Sequence, residues 1–156
     1  MDYRKEYEKW LASPALSEDE RAELRALEGN DKEIKARFYG PLEFGTAGLR
    51  GTMYTGLHNM NRHVIRWATQ GFANVIRAEG TEAMQKGIAV CMDCRNHSAE
   101  FARETACVMA ANGIHVRLFE SLRPTPELSF AVREYGCQAG VNVTASHNPK
   151  EYNGYK

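Results

Sequence analysis

The sequence predicts an α/β domain, a three-layer α/β/α sandwich with a mainly parallel sheet, preceded by a helical N-terminal segment. Three observations predict it. Apolar, β-branched runs stand at Ile88–Met92, Ile114–Phe119 and Gly140–Val143, roughly 25 residues apart. Helical periodicity separates them, and crossovers of a dozen residues or more suit parallel strands covered by helices. Finally, 156 residues with 43% hydrophobic side chains and 13 glycines are enough for one such domain and exclude disordered, collagen-like and coiled-coil chains.

Residues 1–40 carry dense charge and almost no glycine. Ser17 and Glu20 have capping-box spacing ahead of Leu24 and Leu27, and Gly29 can end the helix. Residues 41–156 form the α/β unit. Its first helix is expected between Asn61 and Arg77, burying Val64, Ala68, Phe72 and Val75 or Ile76, and the next between Ser98 and Asn112, burying Ala102, Val108 and Met109. A third fits between the last two strands, with Thr125 as cap, Pro126 in its first turn, Leu128 and Val132 on one face and Gly136 as its stop. The core is then expected to be local to residues 88–145.

Twenty Lys and Arg balance twenty Asp and Glu. No global field draws the chain to nucleic acid or an anionic membrane, and no apolar stretch approaches a membrane span, so neither is an expected partner and the expected location is cytoplasmic. Phosphate must be held by local groups.

Ligands of a parallel sheet bind at the carboxyl ends of its strands, which directs attention to the polar loops after Met92, Phe119 and Val143. Thr144-Ala145-Ser146-His147-Asn148-Pro149 sets a hydroxyl, an imidazole and an amide just past a strand. Such residues also form ordinary turns, and without a G-x-S-x-G elbow acyl transfer is weakly supported. Phe44-Gly45-Thr46-Ala47-Gly48-Leu49-Arg50-Gly51 places glycines, a hydroxyl and an arginine where backbone N–H groups and a guanidinium can meet phosphate; the competing reading is a glycine turn with a solvated Arg50. Its spacing matches neither Walker A nor the dinucleotide fingerprint. Cys91 and Cys94 have C-x-x-C spacing with His97 nearby, yet no second pair exists, and buried, reduced, structural thiols are the expectation over zinc or redox chemistry. Asn153-Gly154 signals a reversal.

Taken together and in this order, the blocks resemble the α-D-phosphohexomutase superfamily, the phosphoglucomutases and phosphomannomutases. Residues 144–149 are similar to its phosphoserine loop, Asn153-Gly154-Tyr155-Lys156 to its Asn-Gly-x-Lys element, and Phe44 to Gly51 to its phosphate-contacting segment. Ala68-Thr69-Gln70-Gly71 and Arg123-Pro124-Thr125-Pro126-Glu127-Leu128 resemble further family stretches. The resemblance covers about residues 38–156 and implies the first of four domains, with the magnesium loop, the sugar-reading loop and the last phosphate-binding loop absent from this chain.

It implies interconversion of a hexose 1-phosphate and its 6-phosphate, with glucose leading and mannose or a pentose open, through phosphorylated Ser146 and a bisphosphorylated sugar. Ser146, His147, Lys156 and Arg50 are the implied catalytic residues. Thr46, Gly48, Arg50 and Asn148 are implied to bind phosphate. Implied cofactors are Mg²⁺, met by Ser146 through its phosphate, and glucose 1,6-bisphosphate as activating intermediate. The implied partners are a phosphorylated hexose and the remaining domains of the same enzyme, so the chain alone is expected to fold without turnover, with Lys156 frayed. A non-catalytic module that holds a phosphorylated ligand or a partner domain is the alternative.

Overall fold

A computed structural model describes residues 1–46 and 48–156 of the chain. Among these lie seven helices and five strands: α1 (Tyr3–Leu11), α2 (Glu18–Arg25), α3 (Asp31–Phe38), β1 (Leu49–Thr52), α4 (Arg62–Ala78), α5 (Thr81–Lys86), β2 (Ile88–Met92), α6 (Ser98–Ala111), β3 (Val116–Leu118), α7 (Thr125–Glu134), β4 (Ala139–Val143) and β5 (Tyr152–Tyr155). They build an α/β/α sandwich on one sheet of order β1-β5-β4-β2-β3. β2 runs parallel to both β3 and β4, while β5 is antiparallel to β4 and β1. No helix among the described residues is long and apolar enough to cross a membrane.

The two faces of the sheet follow the strand period of two. Ile88, Val90 and Met92 of β2 join Val141, Val143, Phe101, Met109 and Ile65 in the main core beneath α4 and α6. Ala89 and Cys91 point the other way, toward Leu128 and Val132 of α7. That face takes small side chains because α7 lies close: a Cβ on Gly140 would come within 2.8 Å of Val132.

Several expectations are corrected. Leu49, Met60, Ile65, Ile76 and Tyr155 belong to the main core, so it is not confined to residues 88–145. The sheet recruits two strands that alternation did not reveal, and Asn153-Gly154 lies within β5 instead of at a reversal. Lys156 is not frayed: its N–H donates to the Asn142 carbonyl and its carbonyl accepts from the Asn142 N–H. Pro124 occupies the N-cap position of α7, and Thr125 has a different task, accepting from Asn142 Nδ2 at 2.6 Å. In α4 the fully buried positions are Val64, Ile65, Thr69, Ala73 and Ile76. Val64 and Ile76 are thus buried as expected and Ala68 and Phe72 pack against the core, whereas Val75 is exposed; Val64, Ala68, Phe72 and Val75 also border a groove of about 690 Å³ that meets Pro41, Phe44 and Trp67.

The N-terminal helices have a core of their own, in which Tyr7, Leu16, Leu24, Leu27, Ile34 and Phe38 close on Leu57. Ser17 and Glu20 form the capping box expected for α2. Glu20 also reaches across to α4, accepting from Arg62 at 2.6 Å and lying 3.1 Å from His63 Nε2. Glu23 binds Thr55 and Arg37. Polar side chains thus tie this segment to the α/β unit.

Candidate functional site

β4 and β5 are the arms of a hairpin whose connection carries Ser146, His147 and Asn148. Val143, Thr144 and Ala145 are buried, Thr144 still donating its N–H to the Gly154 carbonyl of β5, and the chain emerges at Ser146 and His147, which are exposed. Ser146 sits in the left-handed region at φ 57°, which a non-glycine residue occupies only when its surroundings hold it there. Its N–H donates to Thr144 Oγ1 at 3.0 Å, and the Asn148 N–H donates to the Ala145 carbonyl at 3.1 Å. The Ser146 hydroxyl lies 3.4 Å from His147 Nδ1, the outer limit of a hydrogen bond. The serine oxygen is presented to solvent by a hydrogen-bonded turn.

Arg50 is brought to this turn from β1. It stands opposite Gly154 in the ladder, and its Nη1 donates to Asn148 Oδ1 at 3.2 Å. Gly48 has φ 92°, and a Cβ there would lie 2.0 Å from the Tyr155 carbonyl oxygen, so its lack of a side chain serves close packing against β5. Gly154 is confined likewise, since its Cβ would meet the Thr144 carbonyl at 2.5 Å. Gly48, Thr46 and Arg50 line a polar cleft of about 370 Å³ together with Glu43 and Gly45. Ala47 falls outside the described residues. Partial burial holds the Lys156 ammonium below its ordinary value; the positive charge of Arg50 pushes the same way and Asp93 opposes it. Arg50 and Asn148 therefore meet at the Ser146 turn, Lys156 lies within electrostatic reach of Arg50 and Asp93, and Thr46 is a lining residue of the cleft.

One residue in the middle of this arrangement was not singled out from sequence. Arg95, in the loop after β2, donates to the carbonyls of Ser146, Asn148, Pro149 and Tyr152 at 2.6 to 2.9 Å. Its only sequence signal is an arginine in the polar loop after a buried parallel strand. Other candidates are not gathered here. Arg123 pairs with Glu127 at 2.9 Å, and His97 with Glu100 at 2.8 Å. Cys91 is buried under α7, its thiol pushed up to about 11 by burial, whereas Cys94 is exposed. Among the described residues no three His, Cys, Asp or Glu side chains come together as a metal site.

Residues 41–156 match the family model described as phosphoglucomutase/phosphomannomutase, alpha/beta/alpha domain I. The chain is 42% identical over 135 residues to the phosphopentomutase of Homo sapiens, covering 83% of this chain and 22% of that protein. It is 40% identical over 126 residues to the phosphoglucomutase of Staphylococcus saprophyticus, covering 81% and 22%. A crystal structure of a putative phosphomannomutase from Thermus thermophilus superposes with a TM-score of 0.67 at 32% identity, over 75% of this chain and 25% of that one. The chain thus spans 22% to 25% of the length of these relatives.

Proposed function

Because the chain belongs to the phosphoglucomutase/phosphomannomutase family and carries its α/β/α domain I, we propose that it supplies the phosphoserine half of a sugar-phosphate mutase. The carrying observation is the Ser146 turn: an exposed hydroxyl on a left-handed backbone, in a turn whose Asn148 is held by Arg50, with Lys156 within electrostatic reach of Arg50. In the proposed reaction the bond between Ser146 Oγ and phosphorus breaks as phosphorus bonds to the free sugar hydroxyl. The hydroxyl proton passes to Lys156 while the departing Ser146 oxygen takes up a proton by way of His147; in the reverse transfer the Ser146 hydroxyl gives that proton back as its oxygen bonds to the phosphorus at the other end of the bisphosphorylated sugar, and the sugar oxygen released there is protonated by Lys156.

Each side chain has a physical task. Transfer from a phosphoserine, with about −1.5 to −2 charges, to an already phosphorylated sugar meets like-charge repulsion, which cations must offset. Arg50 offers a planar fork for phosphate oxygens, and Thr46, Gly48 and Asn148 border its approach. Lys156 is suited to accept a proton because burial and Arg50 disfavour its charged form. His147, beside the serine oxygen, is assigned to positioning or proton shuttling.

The donor set of this chain does not make a magnesium site, since no carboxylate cluster faces the turn among the described residues. Mg²⁺ would meet it through phosphate on Ser146, with its other ligands outside residues 1–156, and when bound it would neutralise the transferring group. Glucose 1-phosphate and glucose 6-phosphate are the proposed substrates, with glucose 1,6-bisphosphate as activator. The identity to phosphopentomutases favours a second reading, pentose phosphates on the same residues. Turnover assays on a chain that includes the remaining family domains test both. Conversion of glucose 1-phosphate supports the first reading, exclusive conversion of a pentose 1-phosphate supports the second, and conversion of no sugar phosphate refutes the mutase.

A further inference from the structure

We propose that Arg95 is the positioning residue of the Ser146 turn, its guanidinium fixing the direction in which the serine oxygen faces its phosphoryl acceptor; this rests on the mutase reading of Ser146. An arginine has five N–H donors in a planar fork, and here the four on Nη1 and Nη2 are all engaged. Nη1 donates to the Pro149 carbonyl at 2.8 Å and the Tyr152 carbonyl at 2.9 Å, and Nη2 to the Ser146 carbonyl at 2.9 Å and the Asn148 carbonyl at 2.6 Å. Nε lies 3.4 Å from Asp93 Oδ2, and the side chain is only 13% exposed. Three carbonyls of the β4–β5 connection and that of the first residue of β5 are thus drawn onto a single cation.

The fork is itself anchored to the rigid end of the sheet. The Asp93 N–H donates to the Val143 carbonyl, and Asp93 Oδ1 accepts from the Arg95 N–H at 3.0 Å and from the buried Ser98 hydroxyl at 2.8 Å. Asn153 Nδ2 reaches the same Ser98 hydroxyl at 3.0 Å and the Asn96 carbonyl at 2.9 Å, which binds β5 to the Arg95 loop. The left-handed backbone of Ser146 is held inside this frame. Residues 146–151 bury almost no apolar surface, so little besides these polar contacts sets their conformation. Arg95 contacts carbonyls and not the serine hydroxyl, so it acts through the backbone. A lysine offers three donors from one point and cannot span the four carbonyls.

A reacting oxygen displaced by about 1 Å costs on the order of a hundredfold in rate. In a chain that includes the remaining family domains, Arg95→Lys should lower kcat by roughly 10- to 100-fold with KM for the sugar phosphate within about threefold. Arg95→Ala should regain part of its kcat when guanidinium ion is added and none with methylammonium. Unchanged kcat in the folded variants, or no rescue specific to guanidinium, would overturn the proposal. Absence of phosphate on Ser146 of the unsubstituted longer chain after incubation with glucose 1,6-bisphosphate and magnesium would instead refute the mutase reading, before any substitution is made. If the variants do not fold, nuclear magnetic resonance of the unsubstituted chain decides: separate, slowly rotating Nη1 and Nη2 signals for Arg95 are expected, and one averaged signal overturns it.

Discussion

Gly48→Ala is the substitution whose effect the geometry defines most sharply. An added Cβ would stand 2.0 Å from the Tyr155 carbonyl oxygen and 2.9 Å from Lys156 Cα, with the backbone at φ 92°. Left-handed strain costs about 1 kcal/mol for a residue with a side chain. Forcing packed backbone apart costs about 2 kcal/mol more. A domain of this size loses roughly 2–4 °C of Tm per kcal/mol, so Tm should fall by about 6–12 °C. Gly45→Ala is the control, because its Cβ would meet only the Gly48 carbonyl, at an ordinary 3.7 Å, and its stability should change by no more than about 0.5 kcal/mol. Thermal unfolding followed by circular dichroism reads both. If Gly48→Ala melts within about 2 °C of the parent, β1 is not locked against β5 through this glycine and the packing argument fails.

Arg50→Lys keeps the charge and loses the planar fork, so kcat/KM of the longer enzyme should fall by about tenfold or more; unchanged kinetics would reduce residues 44–51 to a packing role. Lys156, held below its ordinary 10.5 by burial and Arg50, should act as a base whose activity limb rises with pH to an apparent value under 10.5, a limb that Lys156→Arg should abolish. Burial opposes ionisation of Glu20, yet the Ser17 N–H and Arg62 outweigh it and lower its carboxyl below 4.5. The stability this contributes is present above 4.5 and is lost as pH falls through the folded-state value, so Glu20→Gln, which can keep the cap, should melt less steeply with acid than the parent; equal acid slopes would contradict the assignment.

The parallel strands and helices were legible because their signals are local: the apolar run at residues 88–92, the Ser17 and Glu20 capping box, and Asn61, whose side chain caps α4. β1 and β5 were not, because each is four residues long and glycine-bearing, and each pairs with a strand about a hundred residues distant in the chain. The stripe on α4 was legible except at Val75, which is exposed, since periodicity reports an apolar face without saying how far the core extends across it. Ser146 and Asn148 could be found in the polar loop after the third apolar run and Arg50 in the glycine-rich segment 44–51, while their roles came from the family resemblance. The contact between Arg50 and Asn148 and the grip of Arg95 on the turn needed the fold, because they join loops that sequence keeps apart.

The central claim, that Ser146 carries the transferred phosphoryl group, is tested most directly by its covalent state. A chain with the remaining family domains is incubated with glucose 1,6-bisphosphate and magnesium, then analysed by intact mass and by peptide mapping of residues 141–156. One phosphate per chain, localised to Ser146, released on addition of glucose 6-phosphate and absent from Ser146→Ala, is the predicted result. A chain that interconverts the sugar phosphates while Ser146 stays unmodified, or a Ser146→Ala variant with undiminished turnover, would contradict it.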